Sequence, residues 1–220
     1  MSARIVGAAL LLIVLAAASG EAQAKHVGTC AVDSSGAWFR KQRAWLDESA
    51  KTWTNDTART ALLSAAGVDA SRKLPVQLGW EINDAGAGMS AEPAVAQLKA
   101  LAATRGSVWP VRSVVGAAGV HAVYLLSARD TGLARASLHR MMEAGPDESP
   151  AADVAVMEDR LRLLSGRKQI YGTQFHSGSS VGIELAPMED SAHVDLRRED
   201  AGLPPFRVSA CLARAGARLK

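Results

Sequence analysis

The sequence predicts a mainly α-helical domain with one β-hairpin near its C-terminal third. Three observations predict this fold class. Large apolar residues repeat at seven-residue spacing from residue 38, helix caps and glycine stops recur up to residue 166, and a two-residue alternation begins near residue 168. Residues 25–220 are long enough to bury a core, so we expect them to form one mainly helical domain.

The first predicted helix follows Ser34 or Ser35, either of which can cap it. Seven-residue spacings place its large apolar residues on one face, which consists of Trp38, Phe39, Trp45, Leu46 and Trp53. Three tryptophans on one stripe are also typical of a sugar-stacking platform, but the helical spacing favours core anchors. A second helix is predicted over residues 57–66, between a cap at Asp56 and a stop at Gly67.

The middle of the chain predicts four more helices after an irregular stretch. Residues 74–80 have an extended pattern, and residues 84–90 are rich in Gly and Ala, as loops are. Caps, prolines and glycine stops then place helices over residues 92–104, 111–128, 131–144 and 149–164. The second of these contains Gly116, Gly119 and Ala122, and such small residues predict the close approach of another helix.

The pattern changes in the last part of the chain. Residues 168–175 alternate, residues 177–180 have turn composition, and residues 181–185 alternate again, which predicts a β-hairpin. A hairpin alone is marginally stable in water, so we expect this one to pack against the helices. A short helix over residues 195–201 and a final helix near Cys211 complete the prediction.

The first 24 residues have the three parts of a signal peptide. Arg4 supplies positive charge, residues 5–18 are almost wholly apolar, and Ala22-Gln23-Ala24 places small residues where a signal peptidase cleaves. An uncleaved anchor is the alternative, but the apolar run is shorter than the roughly 20 residues that span a bilayer. We therefore predict a signal peptide over residues 1–24, an extracytoplasmic location in a periplasm or outside the cell, and no membrane span after cleavage.

The two cysteines lie near opposite ends of the chain that remains after cleavage. In an oxidising compartment an even pair usually forms a disulfide, and the alternative is two separate buried thiols. We predict a Cys30–Cys211 disulfide that ties the start of the domain to its last helix.

Several function classes lack their sequence signals. The net charge of +3 is spread among interleaved acids and bases, so no nucleic-acid partner is expected. The chain has no glycine-rich phosphate loop, H-E-x-x-H or C-x-x-C, so we expect no cofactor and no metal. Residues 178–182 match G-x-S-x-G, but that serine hydrolase motif needs a following helix, and the residues here predict a strand.

The densest group of polar residues surrounds the first strand of the predicted hairpin. The two-residue period places Gln169, Tyr171 and Thr173 on one strand face, where an amide, a phenol and a hydroxyl can bind a polar ligand. The candidate ligand-binding residues are Asp159, Arg160, Gln169, Tyr171, Thr173, Gln174, Asp195 and Arg197. The alternative is a buried network that fixes the hairpin to the helices.

These residues also carry a family resemblance. The segment Gln169-Ile-Tyr-Gly-Thr-Gln174, with Asp159-Arg160 before it and Arg197-Arg198 after it, resembles a bacterial family named domain of unknown function 6624. The resemblance covers about residues 105–206 and implies no settled activity. A histidine and an acidic residue often follow a Leu-Leu pair in that family, but here Ser127 follows the pair and the histidine is absent.

Three functional hypotheses follow. The leading one is a non-catalytic envelope or secreted protein that binds a polar ligand or a protein partner through the hairpin face. The second is an extracytoplasmic hydrolase or other small-molecule enzyme. In it, Asp159, Tyr171 or Asp195 would transfer protons, and Arg160 or Arg197 would hold an anion. The third makes the motif purely structural.

Overall fold

A computed structural model describes residues 25–27, 30–32, 36–50, 52–79, 81–82, 92–104, 106–178 and 182–218. The predicted signal peptide lies outside these residues. Within them the helices are α1 Ala37–Trp45, α2 Asp56–Ala66, α3 Glu92–Ala103, α4 Arg112–Ser127, α5 Thr131–Ala144, α6 Ala151–Leu164, α7 Val194–Asp200 and α8 Phe206–Arg218. The strands are β1 Lys25–Val27, β2 Cys30–Val32, β3 Glu81–Ile82, β4 Gln174–Gly178 and β5 Gly182–Leu185. The predicted fold class, mainly helical with a late hairpin, is confirmed.

Helix α4 lies at the centre of the fold. Val120, Val123 and Leu126 of α4 pack in one core with Leu62 of α2 and Leu98 of α3. Tyr124 belongs to a second core, which α4 shares with α5 and α6 and which contains Val156, Met157 and Leu161. Because α4 is covered on several sides, most of its length is apolar or small.

The hairpin is confirmed, but its first strand starts later than expected. Strand β4 begins at Gln174, and residues 168–173 form bends with a single bridge between Gln169 and Met188. A short strand that the sequence did not predict, β3, pairs in parallel with β4 and places Glu81 beside Gln174. Phe175 is buried against Ala210 and Ala213 of α8, so the hairpin packs on a helix as expected.

The helix face predicted to carry Trp38, Trp45 and Trp53 is shorter than expected. Helix α1 ends at Trp45, and Trp53 lies between α1 and α2, where the Arg59 guanidinium sits 4.2 Å from its ring centroid. Trp38 is a buried core anchor, whereas Trp45 is half-buried. Residues 46–55 leave the helix, so Trp53 does not share its face.

Gly116 allows a close approach to α4, as the small residues predicted. Its φ of 70° interrupts the helix, and a Cβ at this position would collide with Glu48 Oε1 and the Arg59 guanidinium. Arg59 pairs with Glu48 at 2.7 Å and donates to the carbonyl of Val115. The close neighbour is therefore an ion pair between Arg59 of α2 and Glu48 of the loop after α1, which packs against α4.

The predicted disulfide is confirmed. Cys30 of β2 is bonded to Cys211 of α8, with their Cα atoms 5.7 Å apart. The bond closes a loop over a sequence separation of 181 residues. In the part of the chain that the structure describes, no helix is long and apolar enough to cross a membrane.

Candidate functional site

The carboxylate of Asp159 organises the motif that the sequence singled out. Asp159 is fully buried at the middle of α6. It accepts hydrogen bonds from the backbone N–H groups of Ile170, Tyr171 and Thr173 at 2.7, 3.0 and 3.0 Å, and from Thr173 Oγ1 at 2.9 Å. Residues 168–173 wrap around this carboxylate, which explains why they do not continue the strand.

Gln169 and Gln174 are buried in the same network. Gln169 donates to the carbonyls of Gln174 and Ala186 and accepts from the backbone N–H of Gln174 at 2.9 Å. Gln174 Nε2 donates to Thr173 Oγ1 at 3.0 Å. Asp159, Gln169, Thr173 and Gln174 are each 0% exposed. The prediction that Gln169, Tyr171 and Thr173 share an open strand face is therefore wrong, because bends replace that strand.

Arg198 was part of the family motif but was not among the candidate ligand-binding residues. In the structure it is the second side chain, after Asp159, that organises this network. It is fully buried and donates to the carbonyls of Pro204 and Tyr171 at 2.7 Å each, and to the Ser209 hydroxyl. Burial lowers its pKa to about 10. A buried guanidinium that binds carbonyls of two segments fixes them to each other and leaves few donors for a ligand.

The remaining predicted residues are less buried. Arg160 and Tyr171 are half-buried. Arg197 is also half-buried, and it donates to the Ile170 carbonyl at 2.8 Å and to Asp190 Oδ2 at 3.2 Å. Asp195 is exposed and accepts the Phe206 N–H at the start of α8 at 2.7 Å. Tyr171 and Arg197 line a side cavity of about 370 Å³.

A larger cavity shares lining residues with the side cavity at the start of α6. Its volume is about 740 Å³, and its walls come from α1, residues 75–77, α4, residues 146–153 and the turn after α7. Trp45 forms part of one wall, and its Nε1 donates to the Pro146 carbonyl at 3.1 Å. Pro146, Ala151 and Ala201 line both this central cavity and the side cavity.

Four polar side chains converge in the central cavity, and we call them the polar floor: Glu81, His121, Tyr124 and Asp153. The Tyr124 hydroxyl donates a hydrogen bond to Glu81 Oε1. His121 Nδ1 lies 4.0 Å from Asp153 Oδ2, and the His121 and Tyr124 rings stack with centroids 6.2 Å apart. The floor therefore combines two carboxylates, an imidazole and a phenol, all groups that can bind polar ligands.

The buried motif holds the polar floor in place. The Thr173 carbonyl accepts the Glu81 N–H at 2.8 Å, and Thr173 itself is fixed by Asp159. Gln174 Nε2 also approaches Glu81 Oε2 at 3.4 Å. A chain of contacts thus runs from Asp159 through Thr173 to Glu81 and Tyr124. The residues of the motif position the cavity groups without facing the cavity.

Sequence reasoning missed the polar floor for identifiable reasons. Glu81 lies on a two-residue strand inside the stretch that looked irregular. Asp153 is an ordinary acidic residue in the first turn of α6. His121 and Tyr124 gave the available signal, because they stand three residues apart, and so on one face, in an otherwise apolar helix.

Titration of the tyrosines tests this geometry directly, because the sequence contains two tyrosines and their signals can be separated. Burial, followed by the charges of Glu81 and Asp153, raises the pKa of Tyr124 well above 10.0, and burial also raises the pKa of Tyr171. The tyrosines therefore ionise at lower pH in the unfolded chain than in the folded protein. Their contribution to the free energy of unfolding is present below pH 10 and is lost as the pH rises above it.

We therefore expect phenolate absorbance to appear above pH 10, with Tyr124 ionising only as the protein unfolds. Tyr124→Phe should remove that late component and leave the Tyr171 component. Two phenols that titrate near pH 10 in the folded protein would contradict this arrangement.

Comparisons with known proteins give a family but no activity. Among the described residues, no group of three or more His, Cys, Asp or Glu side chains could hold a metal ion. No curated protein and no solved structure matches the chain. The model of one family, described as Family of unknown function (DUF6624), matches residues 52–219, a longer span than the motif resemblance covered.

Proposed function

Because the chain belongs to DUF6624, a family of unknown function, we propose its function from its own geometry: a non-catalytic exported protein that binds a small polar ligand in the central cavity. The observation that carries this proposal is the convergence of Glu81, His121, Tyr124 and Asp153 in one open cavity. The volume of about 740 Å³ lies within the range of small-molecule sites, roughly 300–1,000 Å³.

The charge state of the polar floor supports a ligand site over a structural network. Among the described residues, no Lys or Arg nitrogen lies within 4.0 Å of either floor carboxylate, and His121 Nδ1 lies 4.0 Å from Asp153 Oδ2. Asp153 is nevertheless 6% exposed. Asp153 accepts a 3.4 Å hydrogen bond from Gln77 Nε2 but has no Lys or Arg partner among the described residues. A buried carboxylate without a charged partner costs free energy, and such groups are typical of functional sites. By contrast, the Asp159 carboxylate accepts three backbone N–H groups and the Thr173 hydroxyl, although Gln174 Oε1 in the same network has no hydrogen-bond partner among the described residues.

Export is the second part of the proposal. The predicted signal peptide over residues 1–24 and the Cys30–Cys211 disulfide both favour an oxidising compartment, either a periplasm or the outside of the cell. N-terminal sequencing of the protein purified from its natural host should begin at Lys25. A chain that still starts at Met1, or one found only with the cytoplasmic fraction, would contradict export.

A screen of small polar compounds against the purified chain tests the binding proposal. We expect at least one compound to raise the melting temperature in a concentration-dependent way. His121→Gln should weaken binding of that compound by about tenfold, since it removes one hydrogen-bonding ring of the floor. The matched control is His139→Gln on α5, whose side chain is 73% exposed. Equal effects of the two variants, or a screen without binders, would refute the proposal.

Catalysis in the same cavity is a second candidate function. The observation that favours it is the pairing of proton donors and acceptors, with Tyr124 on Glu81 and His121 near Asp153. This alternative places acid–base chemistry on the polar floor and away from Asp159, whose carboxylate is occupied. The discriminating measurement follows the bound compound by proton NMR: conversion to a product supports an enzyme, and an unchanged spectrum supports a binding protein.

A further inference from the structure

We propose that the ligand carries a positively charged amine, which Glu81 and Asp153 bind at the polar floor. This inference rests on the proposed function and names the chemical class of the ligand. It follows from three features of the cavity: unfilled acceptor capacity, the placement of the nearby cations, and aromatic walls.

The floor carboxylates have acceptor capacity that the protein does not fill. Glu81 Oε1 accepts the Tyr124 hydroxyl, but Glu81 Oε2 has only a 3.4 Å contact with Gln174 Nε2. Asp153 Oδ1 has only a 3.4 Å contact with Gln77 Nε2, and Asp153 Oδ2 lies 4.0 Å from His121 Nδ1. Among the described residues, these three carboxylate oxygens therefore have no hydrogen-bond donor closer than 3.4 Å. An ammonium group has three donors and a positive charge, which complement these oxygens.

The two lining cations of the cavity are engaged elsewhere. Lys41 Nζ donates to the Asp200 carbonyl at 2.9 Å. Arg112 Nη2 donates to the Asp47 carbonyl at 3.2 Å, and the guanidinium lies 5.5 Å from the centroid of the Trp45 ring. Neither has a nitrogen within ion-pair distance of the floor carboxylates. Arg160 acts electrostatically on Tyr124, but among the described residues it forms no ion pair with Glu81 or Asp153. The floor carboxylates are therefore open to an ion pair with a ligand.

The aromatic groups also suit a cation. The Tyr124 ring faces the His121 ring beside the carboxylates, and Trp45 stands in the wall. Aromatic faces attract ammonium groups, most strongly in desolvated sites. The side cavity adds a further polar group, because the Ser149 hydroxyl is buried there without a hydrogen-bond partner among the described residues.

A series of four-carbon probes separates charge from shape. Putrescine, 1,4-butanediol and succinate have the same chain length and are cationic, neutral and anionic at pH 7. We expect putrescine to bind at least about tenfold more tightly than the other two by calorimetry, and its affinity to fall as salt is raised. Because the whole chain has a net charge of +3, general attraction does not explain such a preference.

Two substitutions locate the amine. Glu81→Gln and Asp153→Asn should each weaken putrescine binding by about tenfold or more, because each removes a charge and keeps the shape. The matched control is Glu143→Gln on α5, whose side chain is 55% exposed. Melting temperatures verify that each variant is folded. With two separate floor variants, the test can still be made if one of them does not fold.

The outcomes distinguish this inference from the proposed function. If succinate or butanediol binds as tightly as putrescine and loses affinity in His121→Gln, the amine inference is wrong and the cavity remains a ligand site. If none of the three probes binds, the amine inference is also wrong, and the wider screen decides the proposed function. Putrescine binding that Glu81→Gln and Asp153→Asn leave unchanged overturns it as well.

Discussion

Replacement of Asp159 by alanine is expected to lower the melting temperature by about 10 °C or more. The buried carboxylate accepts three backbone N–H groups and the Thr173 hydroxyl, and the substitution leaves all four donors without that acceptor. Removal of one partner from a buried charged network costs roughly 3–5 kcal/mol. For a chain of this size each kcal/mol lowers the melting temperature by roughly 2–4 °C.

A graded pair of variants gives this prediction its control. Thr173→Val removes only the hydroxyl, which bonds Asp159 and Gln174, so a smaller loss of roughly 1–3 kcal/mol is expected. Asp200→Ala, at an exposed position of α7, should change the melting temperature little. An Asp159→Ala protein that melts within a few degrees of the original would show that the carboxylate does not organise the motif.

Loss of the Cys30–Cys211 disulfide is expected to have an effect of similar size. The bond closes a loop over a separation of 181 residues, and the chain-entropy model gives roughly 4–5 kcal/mol for so long a loop. The double variant Cys30→Ser with Cys211→Ser should therefore melt about 10 °C or more below the oxidised protein. Part of the loss comes from β1 and β2, which pair in antiparallel fashion, because the bond attaches β2 to α8.

Reduction provides the matched comparison for the disulfide. The original protein in reducing agent should melt like the double variant, and reducing agent should not alter the double variant. If both thiols of the purified, unreduced protein react with a thiol reagent, the bond is not formed and the prediction fails. The structure leaves no free cysteine among the described residues to complicate this assay.

Local signals in the sequence predicted the helices well. Gly67 ends α2 with a φ of 68°, as a glycine stop should, and the last residue of α2 matches the prediction. The N-terminal cap is Asn55, which accepts the Ala58 N–H at 2.9 Å, one residue before the predicted cap. Caps and stops involve neighbours in sequence, so a single sequence contains most of the information that sets them.

The failures came from long-range contacts. The alternation of residues 168–173 is typical of a strand, but Asp159 from α6 captures the N–H groups that a strand would use. Strand β3 forms because Glu81 meets Gln174, far along the chain. The polar floor combines residues from β3, α4 and α6, and no spacing rule connects them. The family was correctly recognised from the sequence, but the buried motif residues position the cavity groups and do not line the central cavity.

Chemical-shift mapping of the labelled chain, with the strongest compound from the screen, tests the central claim most directly. If the central cavity is the functional site, the largest shifts should fall on backbone amides of residues 121–125 and 151–153, with little change at Gln169 and Thr173. If the shifts are concentrated on residues 167–176 and the cavity amides are unchanged, the ligand binds at the hairpin motif. That result would contradict a site in the central cavity.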